Sequence, residues 1–447
     1  MAQAMSNVLF GTDGVRGTPG TFPLDQGTVF RLGFALTRQF GSKARFVIGR
    51  DTRQSGEMLE QQVASGVKAA GGSSVSVGVC PTPGVAFLAA RSFSAGIVIS
   101  ASHNPFADNG IKLLTATGEK ASRRLESDIE TSVALAKERD VPRDFEVPVT
   151  SLALSDRYIE HLTKTMAGLP PFEPFRIAVD CANGATSRVA RLVFRYMGIP
   201  VVEVNTSPDG KNINLGCGST HPESLRRAVV DKGCRLGFAF DGDGDRVILV
   251  DDRGNVIDGN GVLLICARYF HSLGRLTSSA IVTTIMSNMG LELALRAEGI
   301  STHRCPVGDL NVLEEMRRRD VCLGGEQSGH VIFSDLLPTG DGIATALQIF
   351  RIVIESGREL SELVTGFETV PQKIVNVRVS RKYELDSIPE IRDLIDKAKV
   401  QLAGRGRVVV RFSGTEPLLR IMVEGPDMEM IQELASTIGE SANRYLA

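Results

Sequence analysis

The sequence predicts an α/β protein of three consecutive units followed by a smaller α+β unit. Three observations carry that expectation. Strand-like apolar runs alternate with helix-like segments through most of the chain. In each of the three units an apolar strand delivers a polar loop bearing Gly or Ser, which is where open α/β sheets place ligands. The last stretch changes character, because Lys373–Val379 alternates apolar and polar as a half-buried strand does.

Taken in order, Arg45–Gly49 and Ser74–Val79 read as strands with a helix, Ser55–Ala70, between them. Ala95–Ser100 is a short apolar run ending in a polar loop. The pattern restarts with the strand Arg176–Asp180 and the helix Thr186–Met197, and Leu236–Phe240 leads into an Asp-rich loop. It restarts again at Ala280–Thr284, and a strand near Val321–Leu323 runs into Gly-Gly-Glu-Gln-Ser-Gly-His. This alternation argues for mostly parallel sheets. No strong internal repeat is visible, so the repetition is one of topology. The final unit reads as a strand, a helix over Ser387–Leu402, strands Val408–Phe412 and Leu418–Val423 around the turn Ser413–Pro417, and a helix over Met428–Tyr445. The expected domains are 1–155, 156–259, 260–370 and 371–447, the last joined near Pro371.

Bulk composition excludes several classes. A length of 447 residues with 43% hydrophobic and 23% charged residues suits an ordinary soluble protein with several cores. A formal net charge of -2 indicates neither a nucleic-acid nor a membrane partner, and no apolar run approaches the length of a membrane span. The 7 cysteines are scattered and form no Cys-x-x-Cys pair, as expected in a reducing cytoplasm rather than in a disulfide framework or a zinc site. The amino terminus lacks the pattern of a signal peptide.

Five loops could carry chemistry. Ala101-Ser102-His103-Asn104-Pro105 follows a strand and ends in Pro, which holds Ser102 exposed as a nucleophile or phosphoryl carrier; a plain turn or helix cap accounts for the same residues. Asp241-Gly242-Asp243-Gly244-Asp245-Arg246 sets three carboxylates at alternate positions, a pattern that curls around one hard cation. An EF-hand is excluded, since Arg246 stands where that loop requires Gly. A solvated acidic turn is the plainer reading, yet concentrating three negative charges is costly without a cation. In Gly325-Glu326-Gln327-Ser328-Gly329-His330, a carboxylate, an amide and a hydroxyl suit sugar hydroxyls, although a Gly-rich turn explains it as well. Arg411-Phe412-Ser413-Gly414-Thr415-Glu416-Pro417, with Arg420 beyond it, suits a phosphate cradle or else a hairpin with surface arginines. Gly11-Thr12-Asp13-Gly14-Val15-Arg16-Gly17 brings Arg16 close to the backbone. Neither a Walker A sequence nor a dinucleotide fingerprint is present.

In this order the five motifs resemble those of the α-D-phosphohexomutase superfamily and, within it, the bacterial phosphoglucosamine mutase family, over essentially the whole chain. The resemblance implies three related α/β domains with mixed sheets plus a smaller α+β domain around a central cleft. It implies that Ser102 is the phosphoserine and that Asp241, Asp243 and Asp245 bind Mg2+ with a phosphoserine oxygen completing the site. Glu326 and Ser328 would hold sugar hydroxyls, and Arg411, Ser413, Gly414, Thr415 and Arg420 the phosphate that is not reacting. Gln327, where related mutases for other sugars often carry Met or Glu, favours glucosamine. One departure is Gly308-Asp309-Leu310-Asn311, where many of these enzymes read Gly-Asp-Arg-Tyr.

The implied reaction interconverts glucosamine 6-phosphate and glucosamine 1-phosphate through glucosamine 1,6-bisphosphate, on the way to UDP-N-acetylglucosamine and cell wall. Lys112 is the candidate general base, its pKa lowered by cations such as Arg16; Lys112 as a simple phosphate contact, and His103 as the base, stay open. A phosphosugar is then the small-molecule partner, and a homodimer is compatible with all of this. The rivals are a phosphomannomutase or phosphoglucomutase, an aspartyl-phosphate phosphatase using Asp241, and a sugar-phosphate-binding regulator without turnover.

Overall fold

The computed structural model describes residues 9–11, 13–136, 140–380, 385–413 and 418–446. Four sheets follow one another along the chain. The first has six strands: β1 (Val15–Gly17), β2 (Arg45–Arg50), β3 (Ser73–Val79), β4 (Ala95–Ile99), β5 (Asn109–Thr115) and β6 (Val149–Thr150), in the order β1-β5-β4-β2-β3-β6. The second contains β7 (Ile177–Asp180), β8 (Val201–Val204), β9 (Leu236–Phe240), β10 (Val247–Val250) and β11 (Val256–Ile257), in the order β11-β10-β9-β7-β8. The third contains β12 (Ala280–Thr284), β13 (Ser301–Cys305), β14 (Leu323–Gly325) and β15 (Val331–Phe333), in the order β13-β12-β14-β15. The fourth is antiparallel, with β18 (Leu418–Glu424) between β16 (Gln372–Arg378) and β17 (Arg407–Phe412).

The expectation of mostly parallel sheets holds for the central strands and fails at one recurrent place. β4, β9 and β14 each run parallel to a neighbour, and each is followed by an antiparallel partner: β5, β10 and β15. The loop between the two strands is the Ser102 loop, the Asp loop and the Glu326 loop in turn. A direct return strand leaves room only for a short connection, so each loop is pinned at both ends by ladder hydrogen bonds. In the third sheet, the strand expected near Val321–Leu323 is displaced to Leu323–Gly325. Gly324 and Gly325 are therefore paired with Val282 and Thr283 rather than free in the loop. Gly324 belongs there because a Cβ would meet Met316 Sδ at 2.6 Å.

Packing divides the molecule unequally. One continuous apolar core includes Val47 and Phe87 of the first unit, Val179 and Phe238 of the second, and Ile281 and Leu323 of the third. The helix Gly342–Ser356 follows the third sheet in sequence but packs on β9 and β10 of the second. The expected boundary at 155/156 falls inside the helix Leu152–Lys164, which packs on helices of both the first and second units. The fourth sheet has its own core, with Val377, Ile391, Leu419 and Ile431. Its joint to the third unit is polar: the buried Glu424 carboxylate pairs with Arg407 and accepts from Met289 N at 3.2 Å, and Arg407 donates to the Ile285 carbonyl at 3.0 Å.

On the outer face of the first sheet, the helices Gln26–Phe40 and Gly56–Ala69 cross through a pair of glycines. A Cβ on Gly66 would sit 1.9 Å from the Phe30 carbonyl, and one on Gly33 would sit 2.0 Å from the Val63 carbonyl. Backbone cannot yield as a side-chain tip can. Helix propensity alone would make Gly66→Ala stabilising by about 0.8–1 kcal/mol; overpacking reverses the sign, and a loss of ~1–3 kcal/mol is expected. A urea midpoint at or above wild type would contradict this crossing.

Candidate active site

Ser102 sits just past the end of β4 with φ 52°, in the left-handed region, and is 1% exposed. A non-glycine residue held there costs roughly 1–3 kcal/mol, which its surroundings must offset. They do so from both sides of the peptide. Ser100 Oγ accepts from Ser102 N at 2.9 Å, while the Ser102 carbonyl accepts from Arg53 at 3.0 Å and from Asn214 Nδ2 at 2.8 Å. The Arg53 guanidinium also donates to the carbonyls of Asn104 at 2.9 Å, of Asp108 at 2.9 Å and of Pro105, so one buried cation braces the whole loop. Asp51 accepts from Arg53 Nε at 2.9 Å and from Ser100 Oγ at 2.6 Å. Burial pushes the Asp51 carboxyl up, and Arg53 only partly offsets it.

From the second unit the Asp loop meets this Ser directly. Ser102 Oγ donates to Asp241 Oδ2 at 2.6 Å. The approach needs Gly242, since a Cβ there would lie 2.5 Å from the Ser102 carbonyl. Asp241, Asp243 and Asp245 are all buried, and one carboxylate oxygen from each lies within 4.8 Å of the others. Asp243 Oδ2 accepts from Lys112 Nζ at 2.8 Å and from Thr82 Oγ1 at 2.6 Å. Asp243 Oδ1 and Asp245 Oδ1 are buried without a hydrogen-bond partner. Burial, then Asp245 and Asp243, push the Asp241 carboxyl far above its ordinary value. Burial also raises Asp243, but Lys112 and Thr82 together outweigh it and hold that carboxyl low. Two orphaned carboxylate oxygens in a buried anionic triplet are what a divalent cation with oxygen ligands would satisfy, so the residues present fit Mg2+.

Lys112 lies on β5, paired with Val98, and only 2% of it is exposed. Besides Asp243 it faces Asp13 Oδ2 at 3.3 Å and Asp245 Oδ2 at 3.8 Å. Burial would lower its pKa, but these three carboxylates outweigh burial and raise it. The expectation that Arg16 and similar cations depress Lys112 is therefore corrected: anions, not cations, surround the ammonium. Arg16, on β1, instead pairs with Asp13 and donates to the Ala101 carbonyl and to Asn104 Oδ1, both at 3.2 Å. His103 Nδ1 is 3.4 Å from Ser102 Oγ. Burial, then Arg246 and Arg16, bring the His103 pKa down to about 4, so its ring is neutral near pH 7.

The third unit closes the other wall. Glu326 Oε1 accepts from Gly308 N at 2.9 Å, and Ser328 Oγ donates to Glu326 Oε2 at 3.4 Å. A bridge between Arg246 and His330 joins this loop to the Asp loop, and Gly259 N donates to the Gln327 carbonyl at 3.0 Å. Lys120 pairs with both Asp13 and Asp309, tying the first unit to the third. Beside that bridge is a cavity of about 340 Å³ lined by Lys112, Lys120, Arg124, Asp309, Leu310 and Asn311, among others. In the fourth sheet Arg411 and Arg420 stand directly opposite each other, and Ser413 N donates to the Leu418 carbonyl at 2.7 Å. Burial, then Arg420, lowers the Arg411 pKa, while Glu326 raises it, which places Arg411 within electrostatic reach of the Glu326 loop. Like charges directly opposite across a ladder are unfavourable unless an anion lies between them. Thr12, Gly414 and Thr415 lie outside the described residues.

Asp51, Arg53, Thr82 and Asn214 lie outside the five motifs, and Asp13 lies within one without an assigned role. Asp51-Thr52-Arg53 carried a legible signal, two opposite charges just past the carboxyl end of β2, the same end of the sheet that presents Ser102. Thr82 and Asn214 carried none, because each acts across a gap of more than a hundred residues.

Loops from the first three sheets thus meet around one buried serine and one carboxylate triplet, with Arg411 of the fourth sheet within electrostatic reach of Glu326, the architecture of a phosphohexomutase. The comparisons agree. The descriptions "Phosphoglucomutase/phosphomannomutase, alpha/beta/alpha domain I", "domain II" and "domain III" match residues 7–140, 156–254 and 258–370, and the C-terminal domain of the same family matches 374–441. Phosphoglucosamine mutase of Symbiobacterium thermophilum is 46% identical, covering 97% of this chain and 98% of the relative. That of Moorella thermoacetica is 45% identical, covering 97% and 99%. A phosphoglucomutase/phosphomannomutase family protein from Burkholderia thailandensis shares the fold at a TM-score of 0.78 and 24% identity, over 99% of this chain and 98% of that one. N-acetylphosphoglucosamine mutase of Aspergillus fumigatus, solved with GlcNAc-6P and magnesium, shares it at 0.69 and 17%, over 100% and 97%. The chain belongs to the phosphoglucosamine mutase family of the phosphohexomutases.

Replacing Arg53 tests the brace. Arg53→Met leaves Asp51 buried without its cation and takes one donor from each of four loop carbonyls, so a loss of ~3–5 kcal/mol is expected in urea unfolding. A loss below about 1 kcal/mol, typical of an exposed pair, would contradict that role.

Proposed function

We propose that the chain interconverts glucosamine 6-phosphate and glucosamine 1-phosphate, carrying a phosphoryl group on Ser102 and passing through glucosamine 1,6-bisphosphate. The observation that carries this reading is the 2.6 Å contact of Ser102 Oγ with Asp241, inside a buried carboxylate triplet. Asp241, Asp243 and Asp245, with an oxygen of the phosphorylated Ser102, would hold Mg2+. When bound, that ion supplies neutralisation of charge on the transferring phosphoryl group, the main requirement of a loose transition state.

In the first half-reaction the bond between phosphorus and Ser102 Oγ breaks as one forms to the anomeric hydroxyl oxygen, whose proton passes to a base. The bisphosphate then turns end over end. In the second, the six-position phosphoryl returns to Ser102 Oγ and the sugar hydroxyl regains a proton. Lys112, held protonated by Asp13, Asp243 and Asp245, suits contact with phosphoryl oxygens, and it acts as a base only once that proton is displaced. Neutral His103 beside Ser102 Oγ is the other acceptor within reach. Arg16 fixes the Ser102 loop through Ala101 and Asn104. Glu326 and Ser328 face sugar hydroxyls, and Arg411, Ser413, Gly414, Thr415 and Arg420 grip the distal phosphate, reading its charge whichever sugar carbon bears it. Among the described residues no helix is long and apolar enough to cross a membrane. The seven free cysteines fit a reducing compartment, the cytoplasm.

Ser102→Ala should abolish mutase turnover while leaving the fold intact, and intact-mass measurement should lose a phosphate adduct present on the wild type. Wild-type-like turnover would remove Ser102 from the mechanism and favour Asp241 as the carrier. Glucosamine 6-phosphate should be used at least tenfold better by kcat/KM than glucose 6-phosphate or mannose 6-phosphate, a difference of ~1.4 kcal/mol in transition-state binding. Equal or reversed constants would favour a phosphoglucomutase or phosphomannomutase and point to Leu310 and Asn311, which line the cleft.

A further inference from the structure

A second cavity, of about 270 Å³, lies away from the carboxylate triplet. Phe270, Phe333 and Leu336 form its apolar wall, with the two rings edge to face at 6.0 Å. Its polar groups are less easily explained as packing. Gln348 is 8% exposed, and its side chain lines the cavity with no hydrogen bond to another described residue. Arg275 is exposed, stands 5.5 Å over the Phe270 ring, and makes no side-chain hydrogen bond or ion pair among the described residues. The other cation, Arg351, is already spent: it donates to the Thr165 and Ala167 carbonyls at 2.9 and 3.1 Å and pairs with Glu355 at 2.6 Å. Asp335, exposed at the rim, is the one carboxylate among the lining residues.

We propose that this cavity is a ligand site for a small aromatic carboxylate. A ring would lie against Phe270 and Phe333, the carboxylate would meet Arg275, and the Gln348 amide at the cavity wall would offer a hydrogen bond. The room is sufficient, since a cavity of about 150 Å³ holds benzene. Both walls lead to the sugar-binding loop. Cys322 precedes β14, Phe333 ends β15, and the Glu326 loop joins those two strands. Phe270 lies on the helix Gly259–Ser272, whose first N–H donates to the Gln327 carbonyl. Occupancy therefore acts on the KM for the sugar phosphate rather than on phosphoryl transfer itself.

The test uses Cys322, which lines the cavity and is the one cysteine of the seven that is not buried. Benzoate should slow its alkylation by iodoacetamide about tenfold at ten times the benzoate Kd. Benzamide, which lacks the charge, should protect far less. Arg275→Met should be alkylated at the wild-type rate, keep its basal turnover, and lose both the benzoate protection and any benzoate effect on KM. The proposal is overturned if benzoate up to about 10 mM, the range of weak fragments, gives no protection. It is equally overturned if benzamide protects as well as benzoate, or if Arg275→Met is still protected. Because alkylation is read by mass, the outcome is independent of which sugar the enzyme uses.

Discussion

Asp241, Asp243 and Asp245 place three carboxylates within 4.8 Å of one another in a buried setting, and most of the surrounding structure answers that concentration of charge. Two unit charges 4 Å apart interact by about 4 kcal/mol at the effective dielectric typical of proteins, so three anions cannot be left unopposed. Lys112 opposes Asp243 directly and Asp245 more distantly, and Ser102 donates to Asp241. The remaining demand, two orphaned oxygens and a carboxyl displaced far upward, is that of a cation site. Convergence of the first two units follows from it. Thr82 reaches across to Asp243, Gly242 admits the Ser102 carbonyl, and Arg53 braces the strained serine against the pair.

The apolar core is arranged to suit. The first three units share one packed interior, so Ser102, the triplet and the Glu326 loop keep a fixed geometry. The fourth sheet, with a separate core, meets the third unit through the Glu424–Arg407 pair. The proposed bisphosphate would have to present both of its ends to one serine, which would call for a rigid reacting centre and a grip that releases. A body with its own interior and a polar joint can move without opening the shared core.

Much of this was legible in the sequence because the chemistry is local. Asp241-Gly242-Asp243-Gly244-Asp245 is its own site within five residues, and the strands before each loop were apolar and short. Long-range supports were not legible. Nothing near Thr82 or Asn214 reveals a partner more than a hundred residues away, and the apolar face of the helix Gly342–Ser356 does not say which sheet it covers. The sign of the Lys112 shift was also out of reach. Arg16 and Lys112 both belong to motifs of the cleft, yet pairing of β1 with β5 turns Arg16 toward the Ser102 loop and leaves Lys112 among carboxylates.

The central claim is that Ser102, beside the triplet, hands its phosphoryl group to the sugar. The direct measurement is a single turnover. Enzyme labelled with radioactive phosphate is mixed with unlabelled glucosamine 6-phosphate, quenched in acid at successive times, and the label is followed. The account predicts an acid-stable phosphoserine at residue 102 whose label passes into glucosamine 1,6-bisphosphate and then into glucosamine 1-phosphate. Label that stays on the protein, leaves as inorganic phosphate, or is found on Asp241 would contradict it.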